Sequence, residues 1–203
     1  MNDLIRTHLT QSVATMQSVL DDADLHATLL AAAELTANSL RAGGTLFVAG
    51  NGGSAADAQH LVAEFVVRLT VNRPALRAVA LTTDTSILTA CGNDFGYDYV
   101  FARQLEALAR AGDVFLGIST SGNSPNLIRA LTTARAQGVH TMALTGNDGG
   151  AMRSLTDHNL IIRAKATARI QECHLALEHI FCSLVERFLF GIDFDKAPQI
   201  LSE

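Results

Sequence analysis

Leu46 to Arg68 reads LFVAG-NGGSAADAQ-HLVAE-FVVR, and this stretch decides the fold. Leu46-Phe47-Val48-Ala49 is a short apolar run of the kind that forms a strand covered on both faces. Gly50-Asn51-Gly52-Gly53-Ser54 follows as a glycine-rich turn, where backbone N–H groups can approach a ligand with no Cβ in the way. Ala55 to Leu69 holds strong helix formers and no Gly or Pro, and predicts a helix. A ligand in the turn would face the helix N-terminus, where unpaired N–H groups and the helix dipole favour an anion. His60 and Glu64 lie four residues apart on that helix, hence on one face. They are candidate metal ligands or proton carriers.

Working outward, residues 3 to 42 predict two helices, broken at Asp21-Asp22-Ala23-Asp24 and stopped at Gly43-Gly44. A doubly wound sheet does not require them. Their apolar faces are expected either on the sheet or against another copy of the chain. Beyond the central stretch, Ala78 to Leu81 predicts a second strand. Thr82 to Ser86 supplies capping groups. Cys91 to Gly96 is expected as a loop and Tyr97 to Leu108 as a helix.

Asp113 to Ile118 predicts a third strand, running into Ser119-Thr120-Ser121-Gly122-Asn123-Ser124-Pro125. Ser124 suits an N-cap and Pro125 the first helical position of the helix to Ala136. The crowd of hydroxyls beside helix N–H groups makes a phosphate site without fixed positive charge. Val139 to Thr145 and His158 to Arg163 predict the fourth and fifth strands, the last nearer an edge. Ala168 to Leu189 predicts a long helix, and the residues from Gly191 onward an unstructured or weakly docked tail. The β–α alternation implies right-handed crossovers and a parallel sheet covered on both faces. Ligands in such sheets bind at the carboxyl ends of the strands beside a topological switch, where both loaded loops fall.

Composition narrows the class. The 203 residues are 48% hydrophobic and 17% charged, with a net charge of −5, ample material for one core. Mild acidity argues against a nucleic-acid surface. No apolar run has transmembrane length, and Asp3, Arg6 and His8 argue against a signal peptide. Three cysteines without CxxC spacing fit reduced thiols and a cytoplasmic location.

GNGGSAADAQHLVAEF, LTACGNDFGYD, GISTSGNSPN, ALTGNDGG and RIQECHLALEHIF, in that order and spacing, resemble the phosphoheptose isomerases of the sugar isomerase (SIS) domain superfamily. The resemblance runs from the N-terminal helices to about Phe190. It implies an α/β three-layer sandwich with a five-stranded parallel sheet of flavodoxin-like type. Residues 1–44 would be a helical pair at the oligomer interface, 45–190 the SIS domain and 191–203 the tail.

The implied reaction interconverts sedoheptulose 7-phosphate and D-glycero-D-manno-heptose 7-phosphate through an enediol, the first step toward activated heptose for bacterial surface glycans. The implied assembly is a cytoplasmic homotetramer with one zinc ion per subunit and active sites between subunits. By position, the zinc ligands would be His60, Glu64, Gln171 and His179. Substrate contacts would fall on Asn51, Gly52, Gly53, Glu64, Asn93, Asp94, Ser119, Thr120, Ser121, Ser124 and Gln171. Glu64 and His179 match the proton-transfer residues. Some members carry an acidic residue where this chain has Ala168.

Helix geometry adds an expectation of its own. Gln171 and His179 are eight residues apart, roughly 12 Å of helix rise, against a zinc–ligand bond of about 2 Å. One site is therefore expected to draw on more than one chain, so that dilution to monomers abolishes activity. His174 and Glu178 repeat the four-residue spacing and could pair with each other, but read better as packing or surface residues. The competing reading is a non-catalytic SIS protein that binds the replication initiator DnaA. Relatives of that kind lack the complete acid–base and metal set.

Overall fold

The computed structural model describes residues 1–192; the tail expected beyond Gly191 lies almost wholly outside them. Five parallel strands, β1 (Leu46–Gly50), β2 (Ala78–Ala80), β3 (Val114–Ser119), β4 (His140–Gly146) and β5 (His158–Ile162), form one sheet in the order β2-β1-β3-β4-β5. Helices α1 (Asn2–Leu20) and α2 (Ala23–Arg41) precede it. Between and after the strands come α3 (Gly53–Val66), α4 (Thr85–Asp94), α5 (Ala102–Leu108), α6 (Pro125–Ala136) and α7 (Thr167–Phe190). The order is the flavodoxin-like one, with its switch between β1 and β3.

The strands sort the core by alternation. Leu46, Val48, Val114, Leu116, Ile118, Met142 and Leu144 pack with buried residues of α2, α3 and α7. Phe47, Ala49, Phe115 and Ala143 face the other way, with Leu105, Leu127 and Leu131 of α5 and α6. The three layers follow from strands whose central positions present apolar side chains to both faces.

Three elements depart from the sequence reading. Residues 91–94, expected in a loop, finish α4, because Asp84 caps that helix by accepting Ile87 N–H at 2.9 Å and nothing breaks it before Phe95. The helix expected over 97–108 divides into a 3-10 turn (Tyr97–Tyr99) and α5. A further 3-10 turn, Ala151–Leu155, follows β4.

The two N-terminal helices have different fates. α2 buries Leu25, Leu29, Ala32, Ala33 and Ala37 in the core. α1 buries Val19 alone and leaves Leu4, Ile5, Leu9, Val13, Met16 and Leu20 exposed. It is tied to α7 where Arg169 donates to His8 O at 2.7 Å.

Candidate active site

The site is built where β1 and β3 end. After β1 the chain turns through Asn51 and Gly52 into α3, whose N-cap Gly52 offers no side chain to its free N–H groups. Gly53 is required by α7: a Cβ there would fall on the Gln171 amide, so its absence lets α7 reach the start of α3. Gln171 Nε2 donates to Asp57 Oδ2 at 3.0 Å. Burial pushes the Asp57 carboxyl above its ordinary range, while the Gln171 hydrogen bond and the charge of His60 oppose the shift.

Two turns along the same pair of helices, three side chains converge. His60 Nε2 lies 2.9 Å from His179 Nε2, and 3.6 Å from Glu64 Oε1. The donor atoms of all three fall within 4.8 Å of one another, at a rim where His60 is exposed and the other two half-buried. Two imidazoles and a carboxylate form a donor set that suits zinc. Ligand atoms around a tetrahedral zinc stand about 3.3 Å apart, so the trio fits the ion with little movement. Three donors leave a fourth position for substrate oxygen or a further ligand, the mark of a catalytic rather than a structural site.

His60, Glu64 and His179 meet within one chain, so the expectation of a site drawn from more than one chain now bears on Gln171 alone. α3 and α7 run side by side, so each presents a matched ledge. The eight-residue separation still has its effect: Gln171 sits up the groove against Asp57 and Gly53, not on the histidines. His174 and Glu178 are neither surface residues nor a pair. Both are buried; His174 Nε2 meets Thr145 O at 3.1 Å, and the Glu178 carboxylate oxygens have no hydrogen-bond partner among the described residues.

Across the switch, the loop after β3 holds the serines. Ser124 is the N-cap of α6 and Pro125 its first residue, but the Ser124 side chain caps nothing. Its Oγ lies 2.9 Å from Ser119 Oγ, which stands 3.4 Å from Ser121 Oγ. Three hydroxyls thus cluster at a helix N-terminus without a side-chain cap, an arrangement whose donors suit phosphate oxygens.

Gly122 shapes this loop at φ 66°, and a Cβ there would run into the Gly149 backbone. Gly122→Ala is expected to destabilise the fold by about 2 kcal/mol and to raise KM severalfold by displacing the serines. Urea unfolding and steady-state kinetics check it.

Asn51 joins the two loops by exchanging two hydrogen bonds with Asn126, at 3.0 and 2.9 Å. Tyr97 Oη reaches Asn51 Oδ1 at 3.3 Å. Asn93 and Asp94 end α4 exposed and bonded to each other, at 2.7 Å. The sequence reading missed Asp57, Tyr97 and Asn126. Asp57 had a signal, since residues 57, 60 and 64 share a helical face.

The chain matches the SIS domain family over residues 9–146. It is 47% identical over 194 residues to a phosphoheptose isomerase of Aneurinibacillus thermoaerophilus, covering 96% of this chain and 98% of that one. With a phosphoheptose isomerase of Burkholderia pseudomallei the figures are 51% over 189 residues, 91% and 96%. The solved structure of the Neisseria gonorrhoeae phosphoheptose isomerase is 44% identical and superposes with a TM-score of 0.86, over 91% of this chain and 98% of that one. With the trio, the serine cradle and the switch-point placement already in view, these likenesses mean that the chain belongs to the phosphoheptose isomerase family of SIS domain proteins.

Proposed function

We propose that this chain isomerises sedoheptulose 7-phosphate to D-glycero-D-manno-heptose 7-phosphate, supplying activated-heptose synthesis in the cytoplasm. The observation that carries the reading is the meeting of His60, Glu64 and His179 at the rim of the groove between α3 and α7. A non-catalytic partner of DnaA has no need of that trio.

The phosphate binds Ser119, Thr120, Ser121 and Ser124 at the start of α6. This anchors the substrate so that its carbonyl end meets the trio. Asn51, Gly52, Gly53, Asn93, Asp94 and Gln171 hold the hydroxyls between. Glu64 takes a proton from C1 of the ketose and returns it to C2. His179 donates to the C2 carbonyl oxygen and recovers the proton from the C1 hydroxyl, so the enediol forms and collapses without net gain or loss of protons. His60, Glu64 and His179 would hold a zinc ion, and Gln171, the fourth expected ligand, would reach it only by leaving Asp57. Bound there, zinc supplies Lewis-acid stabilisation of the oxygens that gain negative charge.

The working assembly is a homotetramer built on residues 1–44. In support, the exposed apolar face of α1 borders a groove of about 670 Å³ lined by Val13, Met16, Leu20, Leu30, Leu177 and Ile180. Ile180 follows His179 on α7, so a second copy seated there would lie on the neighbouring face of the helix that carries His179. Among the described residues no helix is long and apolar enough to cross a membrane.

Incubation of the pure protein with sedoheptulose 7-phosphate, following aldose formation, tests the function. Turnover is expected, lost on stripping metal with a chelator and restored by zinc. A folded, zinc-loaded tetramer without turnover would move the assignment to a binding protein.

A further inference from the structure

Arg73 lies in the turn between α3 and β2, away from every motif that marks the site. Its guanidinium is almost wholly buried, with 2% of the side chain exposed, beside Glu186 at 0%. Nε donates to Glu186 Oε1 at 2.8 Å. Nη2 donates to Glu64 O at 2.6 Å, and Nη1 to Phe65 O at 2.7 Å and Pro74 O at 3.1 Å.

These partners are not scattered. Glu64 and Phe65 are in the last turn of α3, where carbonyls lose their helical donors and the backbone frays. Val67 N–H goes to Ala63 O, and Leu76 N–H shares Phe65 O. Among the described residues, Glu64 O has Arg73 as its hydrogen-bond donor. Glu186 lies seven residues beyond His179 on α7, two turns along the same face. One planar cation thus grips the peptide of Glu64 with one edge and the helix of His179 with another. A buried ion pair is weak evidence of a stability role, since apolar side chains of similar volume often serve as well. Its use here is geometric.

We propose that Arg73, fixed by Glu186, is a positioning residue that sets the separation between Glu64 and His179, and with it zinc affinity and the proton-transfer step. The inference rests on the reading of the site given above. The donors at the start of α3 and the serine cradle across the switch are untouched by Arg73, so anchoring of the phosphate is independent of it.

Two variants test this. Arg73→Lys keeps a charge for Glu186, but an ammonium lacks the flat fork that spans a carboxylate and two carbonyls. Arg73→Met combined with Glu186→Met removes both charges and leaves no buried ion unpaired. In both, the zinc dissociation constant from chelator competition is expected to rise about tenfold or more. The kcat of the zinc-saturated enzyme should fall by a similar factor, with KM for sedoheptulose 7-phosphate within about twofold of wild type. A purely structural pair would lower the melting temperature and leave zinc affinity and kcat of the folded enzyme intact. That result in either variant overturns the proposal, and the lysine variant decides alone if the double variant fails to fold. Wild-type zinc binding and turnover, measured first, test the site reading; normal values there with unchanged variants refute only the positioning role.

Discussion

Replacing Glu64 with glutamine is expected to cut kcat by roughly a thousandfold, within the range for loss of a positioned general base. The amide keeps the shape of the carboxylate and one oxygen donor, so packing at the end of α3 should hold. Circular dichroism and the melting temperature should therefore match wild type. Glu64 stands 3.6 Å from His60 and in the donor set with His179, so on the proposed reading it would serve the metal as well as the substrate. Zinc affinity must then be measured beside turnover, and the assay run at saturating zinc. A zinc-loaded Glu64→Gln enzyme with a tenth or more of wild-type kcat would show that another group takes the carbon-bound proton.

Metal-free protein should lose stability as pH rises from about 6.5 to 8, by about 2 kcal/mol. The cause is Glu178, a buried titratable group on α7. Glu178 is 1% exposed, and burial first, then the nearby Asp57 charge, push its carboxyl from an ordinary 4.5 to about 8. The folded chain thus holds a proton that the unfolded chain has released, and stability falls with pH across that window. His174, 0% exposed, is lowered from 6.5 to about 4 by burial, its bond to Thr145 opposing the shift. For it the unfolded chain holds the extra proton, so stability rises with pH from about 4 to 6.5. The two slopes oppose one another between 4.5 and 6.5, which leaves a plateau there and the Glu178 loss alone above it. Glu178→Gln should flatten the curve above pH 6.5 in denaturant unfolding of chelator-treated protein. A variant that declines in parallel with wild type would place the titrating group elsewhere.

The sheet was legible because each strand has a run of apolar residues at its centre, and the helices between them carry caps and glycine stops. The two loaded loops were legible because glycines and hydroxyls gathered directly after buried runs. Residues 91–99 misled: Gly92 and Asn93 look like loop residues, but the Asp84 cap and packing of Cys91 and Leu88 in the second core carry α4 past them. The single-chain trio was not legible, because the face that α7 turns toward α3 depends on how both helices pack on the sheet. Arg73 could not be found at all, since its carboxylate partner is 113 positions away. The same holds for Asn126, whose bonds to Asn51 cross 75 positions.

The loop after β3 carries the proposed phosphate cradle, and the loop after β1 leads into α3, which carries Glu64. These strands are hydrogen-bonded neighbours in unbroken register from Leu46↔Val114 to Gly50↔Ile118. Slipping one past the other by a residue would turn every side chain of that strand into the wrong layer. On the proposed reading, the span from the phosphate anchor to Glu64 is thus set by main chain rather than by side chains. On that reading the length of the sugar is gauged by a caliper locked at the moment of folding, and substitutions in the loops would change the grip of its jaws without changing the gap.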